Sequence, residues 1–268
     1  MTAVVGEATR QLLGSSRPVS WINTAYPFAA AYLLSGGGIT AALVIGTLFF
    51  LVPYNLLMYG INDVFDYESD LRNPRKGGIE GIVLSDRWHG LTLWASGLLA
   101  APFVVALVVL GGTVSTLVLA VTLAAVIGYS APRIRLKERP VLDSMTSSTH
   151  FVGPAAFGLA LAGGAWTLTA VAALGAFFLW GMASQAFGAV QDVTADREAG
   201  IGSIATVLGA AATVRVAIGL YAGAGLVVLL AGWPGALAGL LAVPYILSLL
   251  PFRSLPDEEC EAANAGWR

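Results

Sequence analysis

All 14 Lys and Arg and all 16 Asp and Glu of this 268-residue chain fall in every second gap between long uncharged runs, or at the run ends bordering those gaps. The runs lie at approximately 18–35, 39–61, 88–110, 113–130, 142–163, 167–190, 210–231 and 235–252. They are continuously apolar, without two-residue alternation, so they read as helices and not as strands of a barrel. Most reach the roughly 20 residues that cross ~30 Å of hydrocarbon. The expected fold is an all-α, polytopic transmembrane bundle of eight spans. Only 11% of residues are charged and 57% are hydrophobic, against about 25% charged in an ordinary soluble domain. With a mean hydropathy of +0.77, this excludes a soluble globular enzyme, a disordered chain and a nucleic-acid binder. The 32 glycines suit close helix packing in lipid. A single cysteine, Cys260, rules out a disulfide or a cysteine metal site within one chain.

The charged gaps set the topology. Arg10 and Arg17 precede the first run, and Arg72, Arg75, Lys76 and Arg87 lie between the second and third. Arg133, Arg135, Lys137 and Arg139 lie between the fourth and fifth, Arg197 follows the sixth, and Arg253 and Arg268 follow the eighth. The turns near Gly36, Gly111, Gly164 and Gly232 carry no charge. The positive-inside rule then predicts a multi-pass plasma-membrane protein with both termini cytoplasmic. The first 17 residues include Glu7, Arg10 and Gln11 and build no apolar core, so no signal peptide is expected. Residues 1–15 and 253–268 read as tails on a single transmembrane domain, 1–268. The outer face offers nothing polar, so the chemistry belongs to cytoplasmic loops and helix ends.

Two acidic clusters stand there. The second run leads into Asn62-Asp63-Val64-Phe65-Asp66-Tyr67-Glu68-Ser69-Asp70. On a continuous helix Asp63, Asp66 and Asp70 share one face, with Asn62 beside them and Asn55 seven residues earlier. The sixth run leads into Gln191-Asp192-Val193-Thr194-Ala195-Asp196-Arg197-Glu198, with Asp192 and Asp196 at i and i+4. Like charges at such spacing repel, and proximity to lipid adds a desolvation cost. Two readings are open: solvated helix ends, or an all-oxygen ligand set for a hard divalent cation. Five carboxylates and an Asn amide suit Mg²⁺, which keeps water or substrate phosphate in its shell. Nearby cations are either salt-bridge and topology signals, the reading favoured for Arg75, Arg87 and Arg139, or diphosphate contacts, favoured for Arg133 and Arg197.

On these residues the sequence resembles the UbiA superfamily of intramembrane prenyltransferases, which carry NDxxDxxxD and DxxxD motifs. Asn62–Asp70 and Asp192–Asp196 match both. A YxxxK element of the family's central loop reads here as Tyr129-Ser130-Ala131-Pro132-Arg133, with Arg for Lys. Within the family, the stretches Ser16–Phe28, Pro53–Asp63, Arg72–Gly78 and Ser147–Phe151 look most like the lycopene elongase branch of C50 carotenoid synthesis. The resemblance implies nine spans where eight are counted.

It also implies the reaction: Mg²⁺-dependent transfer of a dimethylallyl group from dimethylallyl diphosphate to the ends of lycopene, giving C45 and C50 products. Asn62, Asp63, Asp66, Asp70, Asp192 and Asp196 would bind the metal, with the five aspartates catalytic. Asn55, Tyr129, Arg133, Arg197, Arg72, Lys76 and, more weakly, Arg17 would face the diphosphate; a juxtamembrane Arg such as Arg17 is otherwise a membrane anchor. The allylic cation needs shelter, which aromatic faces supply. Tyr59, Phe65, Tyr67, Tyr129 and Phe187 lie near the motif ends and serve either that role or ordinary packing. His150 is either the base that completes the reaction or a packing histidine, and Asp143 is a helix-start residue. Carotenoid-pathway partner proteins would receive the insoluble product. Two rivals stay open: the same family with a quinone-precursor, chlorophyllide or glycerophosphate acceptor, and a cation-coupled transporter, which places its charges at mid-membrane on broken helices.

Overall fold

A computed structural model describes residues 2–71 and 82–267, and all regular structure among them is helical. Among the described residues, six helices are long and apolar enough to cross a membrane: Ala41–Phe65, Asp86–Leu110, Thr113–Ser130, Leu168–Val190, Ala210–Ala231 and Gly235–Phe252. The two remaining predicted runs also form helices. One is 13 residues long and the other opens with polar turns. The chain folds into two compact units, residues 1–134 with 153–164, and residues 135–152 with 165–268.

The first unit opens with α1 (Thr2–Ser15), where a tail is predicted. Gln11 and Leu12 turn inward while Val4 and Val5 stay exposed, and α1 lies against the fourth helix. Ser15 and Ser16 are buried at its end, where Trp21 Nε1 donates to Ser16 O at 3.0 Å. Helix α2 (Ile22–Leu34) follows a 3-10 turn at Pro18–Ser20.

The predicted second span is broken into α3 (Ala41–Leu51) and α4 (Pro53–Phe65). Pro53 has no N–H to donate four residues back, so the carbonyls before it need other partners. Asn55 Nδ2 donates to Phe50 O at 2.8 Å and Leu51 O at 3.2 Å, and Thr24 Oγ1 donates to Phe50 O at 2.6 Å. Helix α5 (Tyr67–Asp70) follows α4 after one intervening residue. Helices α6 (His89–Leu110) and α7 (Thr113–Ser130) complete the run of spans. The core is aromatic: Phe28, Phe49, Phe50, Tyr54 and Phe157 pack with Phe28–Phe50 centroids at 5.1 Å and Phe50–Tyr54 at 5.0 Å.

Helix α8 (Leu142–Leu161) contributes its first half to the second unit and the rest, from Gly153, to the first. The second unit continues with α9 (Leu168–Val190), α10 (Val193–Ala199), α11 (Ile204–Leu208) and α12 (Ala210–Val227). Small side chains, among them Ala183, Ala186, Ala210 and Ala217, bury the α9–α12 contact. The last predicted span is helical in pieces: α13 (Gly235–Ala238), a 3-10 turn, α14 (Ala242–Leu249) and another 3-10 turn. Beyond it lie only a 3-10 segment, Asp257–Ala263, and α15 (Asn264–Trp267), so no ninth long helix follows among the described residues.

That final segment is packed and not a loose tail. Cys260 and Ala263 are buried, and Asp257 Oδ1 accepts from Ala210 N at 2.6 Å, capping α12. The Ala210 N–H, then the Arg197 guanidinium, hold the Asp257 carboxyl below the usual carboxylate range. A group lowered on folding contributes stability above its ordinary range, near pH ~4, and loses it as pH falls through the lowered value. Limited proteolysis should therefore find residues 253–267 protected at neutral pH and progressively cleaved as pH drops below about 4. Asp257→Ala should expose the segment already at neutral pH.

Packing gives a second expectation. A Cβ on Gly158 would overlap the Phe28 carbonyl oxygen and press on the Tyr32 backbone, neither of which can swing aside. Gly158→Val should destabilise the detergent-solubilised protein by about 1–3 kcal/mol, read as a lower melting temperature. Gly97→Ala, which meets nothing within 4 Å in the middle of α6, should be neutral or stabilising by up to about 1 kcal/mol.

Candidate active site

The first acidic motif sits where α4 ends. Asp63, in the last turn, is 0% exposed, and Asp66 is 7% exposed. Asp66 adopts φ −104°, ψ 4°, which stops α4 and separates it from α5. The single continuous face predicted for Asp63, Asp66 and Asp70 is thus interrupted at its middle member, because Asp66 leaves the helical region. The second motif repeats the device. Asp192 has φ −105°, ψ 3° and stands between α9 and α10. Each DxxxD pair therefore begins on a residue in the sparsely populated bridge region, where active-site residues concentrate, and ends within the short helix that follows. Asp196 N donates to Asp192 O at 2.8 Å, which keeps the second pair within one turn. The Asp70 side chain, and Arg72 and Lys76 entirely, lie outside the described residues, as does Arg75.

Around Asp63 the surroundings are specific. Arg17 Nη2 donates to Asp63 Oδ1 at 3.2 Å, and the guanidinium lies 4.2 Å over the Tyr59 ring. Arg17 itself is left-handed at φ 49°, a conformation that costs a non-glycine residue about 1–3 kcal/mol and persists only where its surroundings hold it. This Arg is built into the motif and is not a bare membrane anchor. Its buried Nε has no hydrogen-bond partner among the described residues. Asn62 Oδ1 accepts from Ser130 Oγ at 2.9 Å, which ties the motif to the end of α7 beside Tyr129. Sequence reasoning passed over Ser130, although it sits inside the YxxxR element. Arg133, exposed and at φ 73°, projects from the short loop after α7.

Two predicted diphosphate ligands have other work. Asn55 is 0% exposed, and its amide nitrogen donates to Thr24 Oγ1 at 2.8 Å besides the two carbonyls at the Pro53 break. Its donors are committed to holding α3 and α4 together. Arg197 donates from Nε to Thr206 O at 2.9 Å and from Nη1 to Asp257 Oδ2 at 2.6 Å. The final segment also meets the second motif through Cys260, whose Sγ lies 3.4 Å from Thr194 Oγ1 and 3.5 Å from Gln191 O. His150 is 4% exposed in the first half of α8, and Asp143 Oδ2 accepts from Ile204 N at 3.1 Å, at the start of α11.

The donor set fits a hard cation. The first motif offers the Asp63 and Asp66 carboxylates with the Asn62 amide oxygen, and the second offers the Asp192 and Asp196 carboxylates. Among the described residues no three Asp, Glu, His or Cys groups gather into a metal cage.

The signature of the UbiA prenyltransferase family matches residues 24–264. A lycopene elongase/hydratase of Corynebacterium glutamicum is 51% identical over 262 residues, which cover 98% of this chain and 91% of that protein. A C(50) beta-cyclic carotenoids biosynthesis protein, LbtBC, of Dietzia sp. is 55% identical over 96% of this chain and 60% of its own length. In fold, the chain is similar to a UbiA homolog from Archaeoglobus fulgidus, solved bound to DMAPP and Mg²⁺. The TM-score is 0.71 at 19% identity, covering 96% of this chain and 94% of that one. With both acidic motifs at helix breaks and the family signature over most of its length, the chain belongs to the UbiA prenyltransferase family and is an integral-membrane enzyme that transfers prenyl groups.

Proposed function

We propose that this enzyme transfers dimethylallyl (C5) groups from dimethylallyl diphosphate to the ends of lycopene, giving C45 and C50 carotenoids. The observation that carries the reading is the 51% identity to a lycopene elongase/hydratase across 98% of the chain. The chain acts as one prenyltransferase domain, 1–268, in the plasma membrane, with both termini and the reacting centre on the cytoplasmic side. Carotenoid-pathway proteins would take up the insoluble product.

Asn62, Asp63, Asp66, Asp70, Asp192 and Asp196 would hold Mg²⁺ and, with it, the diphosphate. Bound there, Mg²⁺ supplies positive charge against the charge that grows on the leaving group. Tyr129, Arg133, Arg72, Lys76 and Arg17 bind the same diphosphate. For Arg17 the support is a buried Nε with no partner among the described residues, on a guanidinium already fixed by Asp63 and Tyr59. Arg197 acts at one remove, holding α10 through Asp257. Tyr59 offers its ring to positive charge. The lycopene end attacks the allylic carbon, and the resulting tertiary cation is resolved with His150 as the proton acceptor.

Purified enzyme with lycopene, dimethylallyl diphosphate and Mg²⁺ should give C45 and C50 products, and EDTA should abolish them. Asp66→Asn and Asp192→Asn should each lower turnover by about 100-fold or more, the loss typical of removing charge stabilisation at a reacting centre, with the melting temperature little changed. Turnover only with a polar aromatic or glycerophosphate acceptor would overturn the carotenoid assignment. Undiminished turnover in EDTA would overturn the metal's role.

A further inference from the structure

Asp143 stands at the start of α8, but its side chain serves a different helix. It is 1% exposed, and its Oδ2 accepts from Ile204 N, the first residue of α11, at 3.1 Å. Ser144 Oγ donates to its Oδ1 at 3.4 Å. Burying a carboxylate is costly, and Ser or Asn would cap a helix as well. A negative charge at the head of α11 gains from the aligned peptide dipoles and from a charge-assisted hydrogen bond.

The helix so anchored follows the second acidic motif directly. Helix α10 has seven residues and α11 has five, too few to hold their shape without outside contacts. Their contacts lead back to the motif. Ile201, in the loop between them, donates from N to Asp196 O at 2.8 Å. Arg197 Nε donates to Thr206 O of α11 at 2.9 Å. The backbone of the motif's second aspartate, and the arginine beside it, thus end on the element that Asp143 fixes.

Two further features secure the same junction inside the second unit. Gly202 approaches the segment before α8 so closely that a Cβ there would stand 2.6 Å from Glu138 O, a backbone atom. Val141 is exposed and holds φ 72°, a genuine outlier for a β-branched residue. Such a backbone persists only where its surroundings over-determine it. Val141 lies between the Glu138 contact and the Asp143 anchor.

We infer that Asp143 is a positioning residue for the second ion-binding pair. By fixing the head of α11 it holds loop 200–203, and through Ile201 the Asp196 backbone, in the arrangement that receives the divalent ion. Asp143 is not itself a ligand, since its two oxygens are taken up by Ile204 N and Ser144 Oγ. The inference rests on the proposed role of Asp192 and Asp196 as ion ligands and adds what keeps them in place. Outer residues that orient metal ligands are worth about 10–100-fold in metal affinity or activity.

Two measurements on the purified full chain test this. The first is amide hydrogen exchange of the metal-free protein. Asp143→Ala should speed exchange across 197–204 by about five- to tenfold, the worth of one hydrogen bond, while 211–227 of α12, whose first N–H is held by Asp257, keeps its protection. The second is C5 transfer to lycopene as a function of Mg²⁺. The Mg²⁺ level giving half-maximal turnover should rise about tenfold in Asp143→Ala, with turnover at saturating Mg²⁺ nearly unchanged. Asp143→Asn, whose amide oxygen still accepts from Ile204 N, should stay close to wild type in both. If Asp143→Ala does not fold, Gly202→Ala decides, because its Cβ forces the same loop away from Glu138 O and should give the same two changes. A wild-type Mg²⁺ requirement in variants with loosened exchange, or turnover lost equally at every Mg²⁺ level, makes Asp143 a residue of the fold alone and overturns the inference. Unchanged exchange overturns it as well. Each of these leaves the metal reading standing, whereas wild-type turnover that is indifferent to Mg²⁺ overturns both.

Discussion

Every backbone N–H and C=O at membrane depth must find a partner inside the protein, and both acidic motifs of this chain stand where a helix is interrupted. Pro53 interrupts the second span, and Asn55 and Thr24 take up the carbonyls it leaves. The repair lets α4 start afresh and run to Asn62 and Asp63 as a rigid carrier. The breaks at Asp66 and Asp192 have near-identical backbone angles. A straight helix would carry each acid pair along its axis. A break turns the second acid of each pair into a short separate helix.

The charges around these breaks are arranged in depth. Asp63 is buried but neutralised in part by Arg17, which is itself strained and stacked on Tyr59. Burial of an unpaired carboxylate would be prohibitive, whereas a pair with donors to spare can accept a further anion and cation together. The second motif is supported differently. Arg197 and Cys260 join it to the final segment, and Asp257 joins that segment to α12. The polar ends of the spans thus hold one another, and the sequence beyond the last span belongs to the fold.

Much of this was legible beforehand. Uncharged runs located helix at each of the eight predicted stretches, since the bilayer reads composition directly, and left out the helices α1, α5, α10 and α11 that flank them. The two Asp spacings pointed to the family because few structural needs place like charges so. What sequence could not reveal is instructive. Residues 2–15 read as a tail because Val4, Val5, Leu12 and Leu13 are too few to announce a helix that leans on α4. The one-face arrangement of Asp63, Asp66 and Asp70 presumed unbroken helix, and nothing in the residue types at Asp66 signals a break. Asn55 looked like a ligand through its distance from Asn62. Its role follows instead from Pro53, two residues before it, a link that was available in the sequence and was missed. The Arg197–Asp257 pair spans 60 residues, beyond the reach of any local pattern.

The central claim is that the two broken helix ends bind a diphosphate and a divalent ion as one unit. Calorimetric titration of a non-reacting thiolo analogue of dimethylallyl diphosphate, with and without Mg²⁺, tests it most directly. The account predicts that ion and analogue each tighten the other's binding by the same factor, as linkage requires, and that Asp63→Asn or Asp196→Asn removes the coupling. Binding of the analogue that is equally tight without the ion, or coupling that survives both substitutions, would contradict it.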